Sequence, residues 1–217
     1  MDPYLSPEHE HSALITIDIQ RDTLDGQPFE IPGTSAILPR VRQLLDFFRA
    51  QSRPIMHVVR LYLPDGSNVE ACRRNAIMGG SPLVLAGSVG SQIAEPLMPL
   101  PGGLLDADRL LAGDIQQLGA QEAVIYKPRW GAFYRTPLES HLRSLAATTL
   151  IFTGCNFPNC PRTSIYEASE RDFRLVAIRD AISGLDAQGE AQLERIGVVV
   201  WDTKQYLEEA VSHTRAR

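Results

Sequence analysis

Six short apolar runs, rich in β-branched residues, set the limits on what this 217-residue chain can become. They occupy residues 13–19, 55–59, 123–126, 148–152, 175–178 and 198–201. None alternates cleanly between apolar and polar. That is the pattern of strands covered on both faces of a parallel sheet. Helical patterns lie between them, at 35–50, 138–145, 162–171, 190–196 and 204–211; the first carries Ile37, Val41, Leu44, Leu45 and Phe48 at helical spacing. Strand alternating with helix predicts a doubly wound α/β sheet. No internal repeat or low-complexity segment interrupts it, and the length suits one domain, 12–217, behind a short polar tail, 1–11. The interval 61–121 is less regular, with Pro64-Asp65-Gly66, Gly79-Gly80-Ser81-Pro82 and a Pro/Gly cluster at 99–103. A helix near 68–75 and a helical turn at 107–111 are expected inside it. A connection this long tends to carry function.

Charge excludes some classes. The formal net charge is −5 and no basic stripe is present, which argues against a nucleic-acid partner. No apolar run approaches the roughly 20 residues that span a membrane. The first residues lack a basic segment followed by an apolar one, so no secretory leader is expected. His9 and His11 read as part of a solvated tail. The cysteines, Cys72, Cys155 and Cys160, are odd in number and form no CxxC pair. That indicates neither a zinc site nor a disulfide framework, and it fits a reducing, cytoplasmic setting.

Ligands of open α/β sheets bind beyond the carboxyl ends of the strands. Those ends carry Asp18, Arg60, Lys127 and Arg179-Asp180, and the fourth run leads into Cys160. Pro161 suits the first turn of a helix, and the residue before a proline is pushed toward extended geometry. Cys160 is therefore expected at a helix N-cap, its sulfur facing the positive end of the dipole, where thiolate is favoured. An acid, a cation and a nucleophile then share one sheet edge. Each has a plainer account when taken alone. A lone cysteine is most often a small buried hydrophobe; Asp18 could cap or pair; Lys127 could reach solvent. Cys155 reads as packing, Cys72 as structural, His57 as a core residue, and Asp180 as a tie for the loop that follows it.

Three motifs in order carry a resemblance. They are Leu14-Ile15-Thr16-Ile17-Asp18-Ile19-Gln20-Arg21-Asp22, then Lys127 followed by Ala132-Phe133, then Thr153-Gly154 through Cys160. Over about residues 12–210 the chain resembles the isochorismatase-like cysteine hydrolases, which include nicotinamidase and N-carbamoylsarcosine amidohydrolase. The resemblance implies a three-layer α/β/α sandwich around a six-stranded parallel sheet of order 3-2-1-4-5-6. It implies Cys160 as nucleophile, Asp18 as acid–base and Lys127 as the third catalytic member. It further implies a cis peptide at Cys155–Asn156 and an oxyanion hole from the backbone N–H groups of Asn156 and Cys160. A substrate pocket is expected from Gln20, Arg60, Tyr62, Trp130, Phe133 and Phe157, with Arg60 on a substrate carboxylate. No cofactor is expected, and the Asp-x-His metal motif of nicotinamidases is replaced by Arg60-Leu61-Tyr62. Relatives of this kind imply a small-molecule amide substrate and a homo-oligomer, dimer or tetramer.

The expected chemistry is hydrolysis of a small amide or ureido C–N bond through a thioester. Two alternatives stand beside it. An isochorismatase-type vinyl-ether hydrolase would need Asp18 but not Cys160. A thiol redox or binding protein would need Cys155 as a resolving partner.

Overall fold

The first apolar run forms β1 (Ser12–Ile17), in which every residue is buried. Its side chains alternate between two cores: Ala13, Ile15 and Ile17 enter one and Leu14 the other. Helices are therefore needed on both faces. A computed structural model describes residues 2–99 and 103–215, of which 213–215 by backbone alone. Among these residues the strands after β1 are β2 (Ile55–Val59), β3 (Gln116–Gly119), β4 (Glu122–Tyr126), β5 (Thr149–Gly154), β6 (Arg174–Ile182) and β7 (Val199–Trp201). They form one sheet of order β3-β4-β2-β1-β5-β6-β7.

Six of these strands are parallel and follow the expected 3-2-1-4-5-6 order. The seventh is a correction. β3 pairs antiparallel with β4 at the sheet edge. Its sequence, Gln-Gln-Leu-Gly, is half exposed and lacks the apolar run that marks the others. Edge strands are often short and polar, since their free backbone groups must meet water.

On one face lie α1 (Thr34–Ala50), α3 (Ala107–Leu111) and α7 (Thr203–Arg215); on the other lie α4 (Leu138–Ser144), α5 (Cys160–Ser169) and α6 (Ala187–Glu194). Helix α1 buries the five residues expected of it, Ile37, Val41, Leu44, Leu45 and Phe48. Each such side chain contributes about 1.5–3 kcal/mol on burial. Pro39 lies inside α1 and leaves the Ser35 carbonyl without its i+4 donor. The remaining helix, α2 (Ala71–Met78), stands three residues later than expected, inside the long connection after β2.

The polar tail is a second correction. His9 is buried and stacks on Trp201 at 6.3 Å, the Glu8 N–H donates to Thr149 Oγ1 at 2.9 Å, and Leu5 packs over Gly197. Residues 5–9 thus cover the amino ends of the strands, a role that their polarity hides.

Candidate active site

The chain leaves β1 through Asp18 with φ at 51°, a left-handed conformation that Asp tolerates better than most residues. The turn aims the carboxylate across the carboxyl ends of the strands. Lys127 follows the last residue of β4 and is fully buried; its Nζ donates to Asp18 Oδ2 at 2.7 Å. Asp18 Oδ1 is buried and has no hydrogen-bond partner among the described residues.

The third group arrives from β5. Gly154 has φ at 129°, and a Cβ there would sit 2.2 Å from the Ile17 carbonyl oxygen. Only glycine lets β5 close on β1 at this point. The peptide Cys155–Asn156 is cis, as the resemblance implied. The chain then enters α5, whose N-cap is Asn159 and whose first residue is Cys160. The helix therefore starts one residue earlier than expected, with Pro161 still in the first turn. Cys155 lies beneath, its Sγ–H donating to the Asp18 carbonyl at 3.0 Å.

The thiol does not behave as its helix position suggested. Burial and the Asp18 carboxylate push Cys160 up to about 11, against the pull of Lys127 and Arg60. Both leading causes oppose the thiolate that the helix position favours. Burial pushes Cys155 up to about 12, again with help from Asp18. Both sulfurs are thus shifted toward the thiol form.

Two backbone N–H groups of residues on the same wall lack an acceptor among the described residues. The Asn156 N–H donates no hydrogen bond within the described chain. The Cys160 N–H belongs to the first turn of α5, where no intrahelical acceptor exists. Asp18, Asn156 and Cys160 together line a cavity of about 120 Å³. The other walls are Gln20, Thr23, Phe29, Ile31, Arg60, Arg73, Leu83, Val84 and Cys155.

The expected pocket needs correcting against this wall. Gln20 lines the cavity, but its amide is spent on structure: Nε2 donates to the Arg60 and Ser91 carbonyls, and Oε1 accepts from the Arg60 N–H. Tyr62, Trp130, Phe133 and Phe157 are not on the wall. Tyr62 is fully buried and donates to Glu70 at 2.7 Å. Phe133 and Phe157 belong to the core under α5, and Trp130 packs against it. Their place near the motifs in sequence did not reveal that they point into the core.

Arg60 does line the cavity, though it is only 3% exposed. Its Nη1 lies 2.6 Å from Glu70 Oε1, its Nη2 donates to the Arg129 carbonyl, and its guanidinium stacks 5.6 Å above Tyr62. Burial alone would lower its pKa, but Asp18, Tyr62, Glu70 and Cys160 raise it further.

Arg73, Phe29, Ile31, Leu83 and Val84 went unseen in the sequence. They come from the connections after β1 and β2, Arg73 from helix α2. Asp22, the last residue of the first motif, draws one of these loops in: its Oδ2 accepts from the Val84 N–H at 2.7 Å. Gly90 permits it, since a Cβ there would lie 1.9 Å from Asp22 Oδ1. At the end of β2, Arg60-Leu61-Tyr62 places a cation where a metal motif would need a carboxylate. Among the described residues no three His, Cys, Asp or Glu side chains converge as a metal site.

The isochorismatase domain family matches residues 106–205. An isochorismatase family protein of Desulfovibrio vulgaris superposes with a TM-score of 0.77 at 28% identity, over 95% of this chain and 99% of that one. In sequence and in fold the chain is similar to the isochorismatase-like hydrolases. Among curated relatives, a probable inactive nicotinamidase of Arabidopsis thaliana is 27% identical over 77% of this chain and 78% of its own length. N-carbamoylsarcosine amidase of an Arthrobacter species is 28% identical over 88% of this chain and 62% of its own length. This isochorismatase-like chain thus spans less than two thirds of that amidase. No helix among the described residues is long and apolar enough to cross a membrane.

Proposed function

We propose that the protein is a cysteine-dependent hydrolase of a small amide or ureido C–N bond. One observation carries the reading. A buried thiol, a carboxylate oxygen without a partner, and two unengaged backbone N–H groups meet at one small cavity. The amidase among its relatives supports the bond type.

In this mechanism Cys160 starts as the thiol. Asp18, held at Oδ2 by Lys127, takes the thiol proton on Oδ1 as sulfur attacks the substrate carbonyl. Negative charge moves to the carbonyl oxygen, where the Asn156 and Cys160 N–H groups receive it; each donor of this kind is worth about 2.7–4 kcal/mol. Asp18 returns the proton to the departing nitrogen, the C–N bond breaks, and an acyl thioester remains on Cys160. A water then gives its proton to Asp18 and attacks the thioester, and Cys160 leaves with that proton. Lys127 holds Asp18 Oδ2 in place throughout by its 2.7 Å hydrogen bond.

An ammonia-release screen over small amides and ureas, with intact-mass detection of acyl adducts, tests this. The wild-type protein is expected to form an adduct on Cys160. Cys160→Ala should lose turnover by a factor on the order of 10⁴ or more while keeping its fold. Full turnover in Cys160→Ala would end the proposal.

A further inference from the structure

The cavity has a charge that the proposed chemistry does not use. Asp18 is matched by Lys127 and Arg60 by Glu70. Arg73, on α2, also lines the cavity, and among the described residues no carboxylate ion-pairs with it. It is held from behind instead. One Nη donates to the Tyr62 hydroxyl at 3.0 Å, and the guanidinium lies over the Trp130 ring at 4.8 Å. Those contacts fix its plane and leave N–H groups unspent. On the same wall, Arg60 Nε is buried without a hydrogen-bond partner. A buried unpaired donor costs free energy unless something accepts from it. Arg60, Arg73 and Lys127 exceed Asp18 and Glu70 by one positive charge, since Glu70 acts on both arginines, and two guanidinium groups with vacant donors suit an anion.

We infer that the substrate is a small amido or ureido acid, whose carboxylate is received by Arg73 together with Arg60 Nε while its amide carbonyl meets Cys160. This rests on reading Cys160 as the nucleophile. One uncompensated cation matches one singly charged planar group, and a cavity of about 120 Å³ holds a molecule of that size rather than a polymer. The long connection after β2 thereby acquires a task. Through α2 it delivers the residue that selects the substrate.

Titration calorimetry on the full-length Cys160→Ala protein tests this without turnover. The probes are N-carbamoylglycine and 3-ureidopropionate, each against its neutral primary amide. The acids are expected to bind at least tenfold tighter than the amides. Arg73→Gln in the same background should bring each pair within about twofold. Arg73→Lys keeps the charge but loses the fork; it should retain the preference and bind the acids several-fold more weakly. If Arg73→Gln does not fold, the Lys variant decides, and unchanged acid affinity there overturns the assignment. Equal affinity within each pair, or binding of neither member, overturns it as well. The two proposals also fail separately. Acid binding without ammonia release by the wild-type protein leaves the carboxylate site standing and removes the hydrolase. Release of ammonia from amides with no preference for acids does the reverse.

Discussion

β1, β2 and β4 carry two buried polar clusters, one within the sheet and one at its carboxyl ends, and the two are built to opposite rules. Within the sheet, Thr16 on β1, His57 on β2 and Glu122 on β4 form a chain. His57 Nδ1 lies 2.7 Å from Thr16 Oγ1, and Nε2 lies 2.8 Å from Glu122 Oε1. Arg49 of α1 then takes both Glu122 oxygens, at 2.8 and 2.7 Å. Every polar atom of His57 and Glu122 has a partner. At the carboxyl ends Asp18, Lys127, Cys160 and Arg60 make a cluster with gaps: Asp18 Oδ1 and Arg60 Nε have none. Burial makes an unsatisfied group expensive, and where one borders a cavity a ligand or a reaction can supply the missing partner. The saturated cluster reads as architecture and the unsaturated one as chemistry, although the same strands carry both.

The contrast is sharpest at the two carboxylates. Asp18→Asn should reduce turnover by a factor on the order of 10⁴, since one carboxylate serves as both base and acid. It should also make Cys160 easier to alkylate. The Asp18 charge is one cause of the raised thiol pKa, and removing it leaves Lys127 and Arg60 to pull the value down. Iodoacetamide labelling at pH 8, resolved by peptide mass, should therefore run faster at Cys160 in Asp18→Asn than in the wild type. Slower labelling would mean that Asp18 generates a resting thiolate, against the mechanism proposed above.

Glu122→Ala should do the opposite. It strands Arg49 and His57 in the core, and breaking a buried pair in this way costs about 3–5 kcal/mol. Turnover per folded molecule should stay within a few-fold of wild type. Chemical denaturation and active-site titration on one sample separate the two effects. A loss of turnover beyond tenfold in the folded fraction would join the two clusters.

Acid should dismantle the same cluster in the wild type. Burial pushes the Glu122 carboxyl upward, but Arg49 and His57 outweigh it and hold the group down at about 2. A carboxylate with a depressed folded pKa stabilises the fold fully above its unfolded value, near 4.5. That contribution is lost as pH falls from there toward 2. Denaturation midpoints followed from pH 6 to pH 2.5 should drop more steeply below pH 4.5 in the wild type than in Glu122→Gln. Parallel curves would show that other carboxylates carry the acid sensitivity.

This division explains what could be read from the residues in advance. The six parallel strands and α1 were legible because continuous apolar runs and helical spacing are local properties, and β1 with α1 bears both out. Asp18, Lys127 and Cys160 were placed at one sheet edge because strand ends are legible once strands are. The state of Cys160 was not legible. The helix dipole that favours thiolate is a local feature, whereas the carboxylate that opposes it arrives from the first strand. The pocket walls were hidden for a related reason. Phe133 and Phe157 sit beside the motifs in sequence, yet α5 and its core absorb them. Arg73 sits far from any motif, and Tyr62 and Trp130 bring it to the cavity. Glu70 and Arg73, both charged and flanking a short apolar stretch after Val69, were the available signal.

Thr16 offers the mildest and most discriminating trial of the comparison. It lies on β1 two residues before Asp18, pairs in register with His57, and belongs wholly to the saturated cluster. Thr16→Val preserves shape and β propensity but removes the partner of His57 Nδ1. The lost bond and the stranded ring nitrogen should cost about 1–2 kcal/mol. For a chain of this size that is a fall in Tm of about 2–8 °C. The pH profile of turnover should not move, because Asp18 keeps Lys127 and its φ of 51° is set by the turn rather than by the Thr16 side chain. A shifted profile with an unchanged Tm would invert the assignment, making Thr16 and His57 part of the machinery that sets the charge of Asp18.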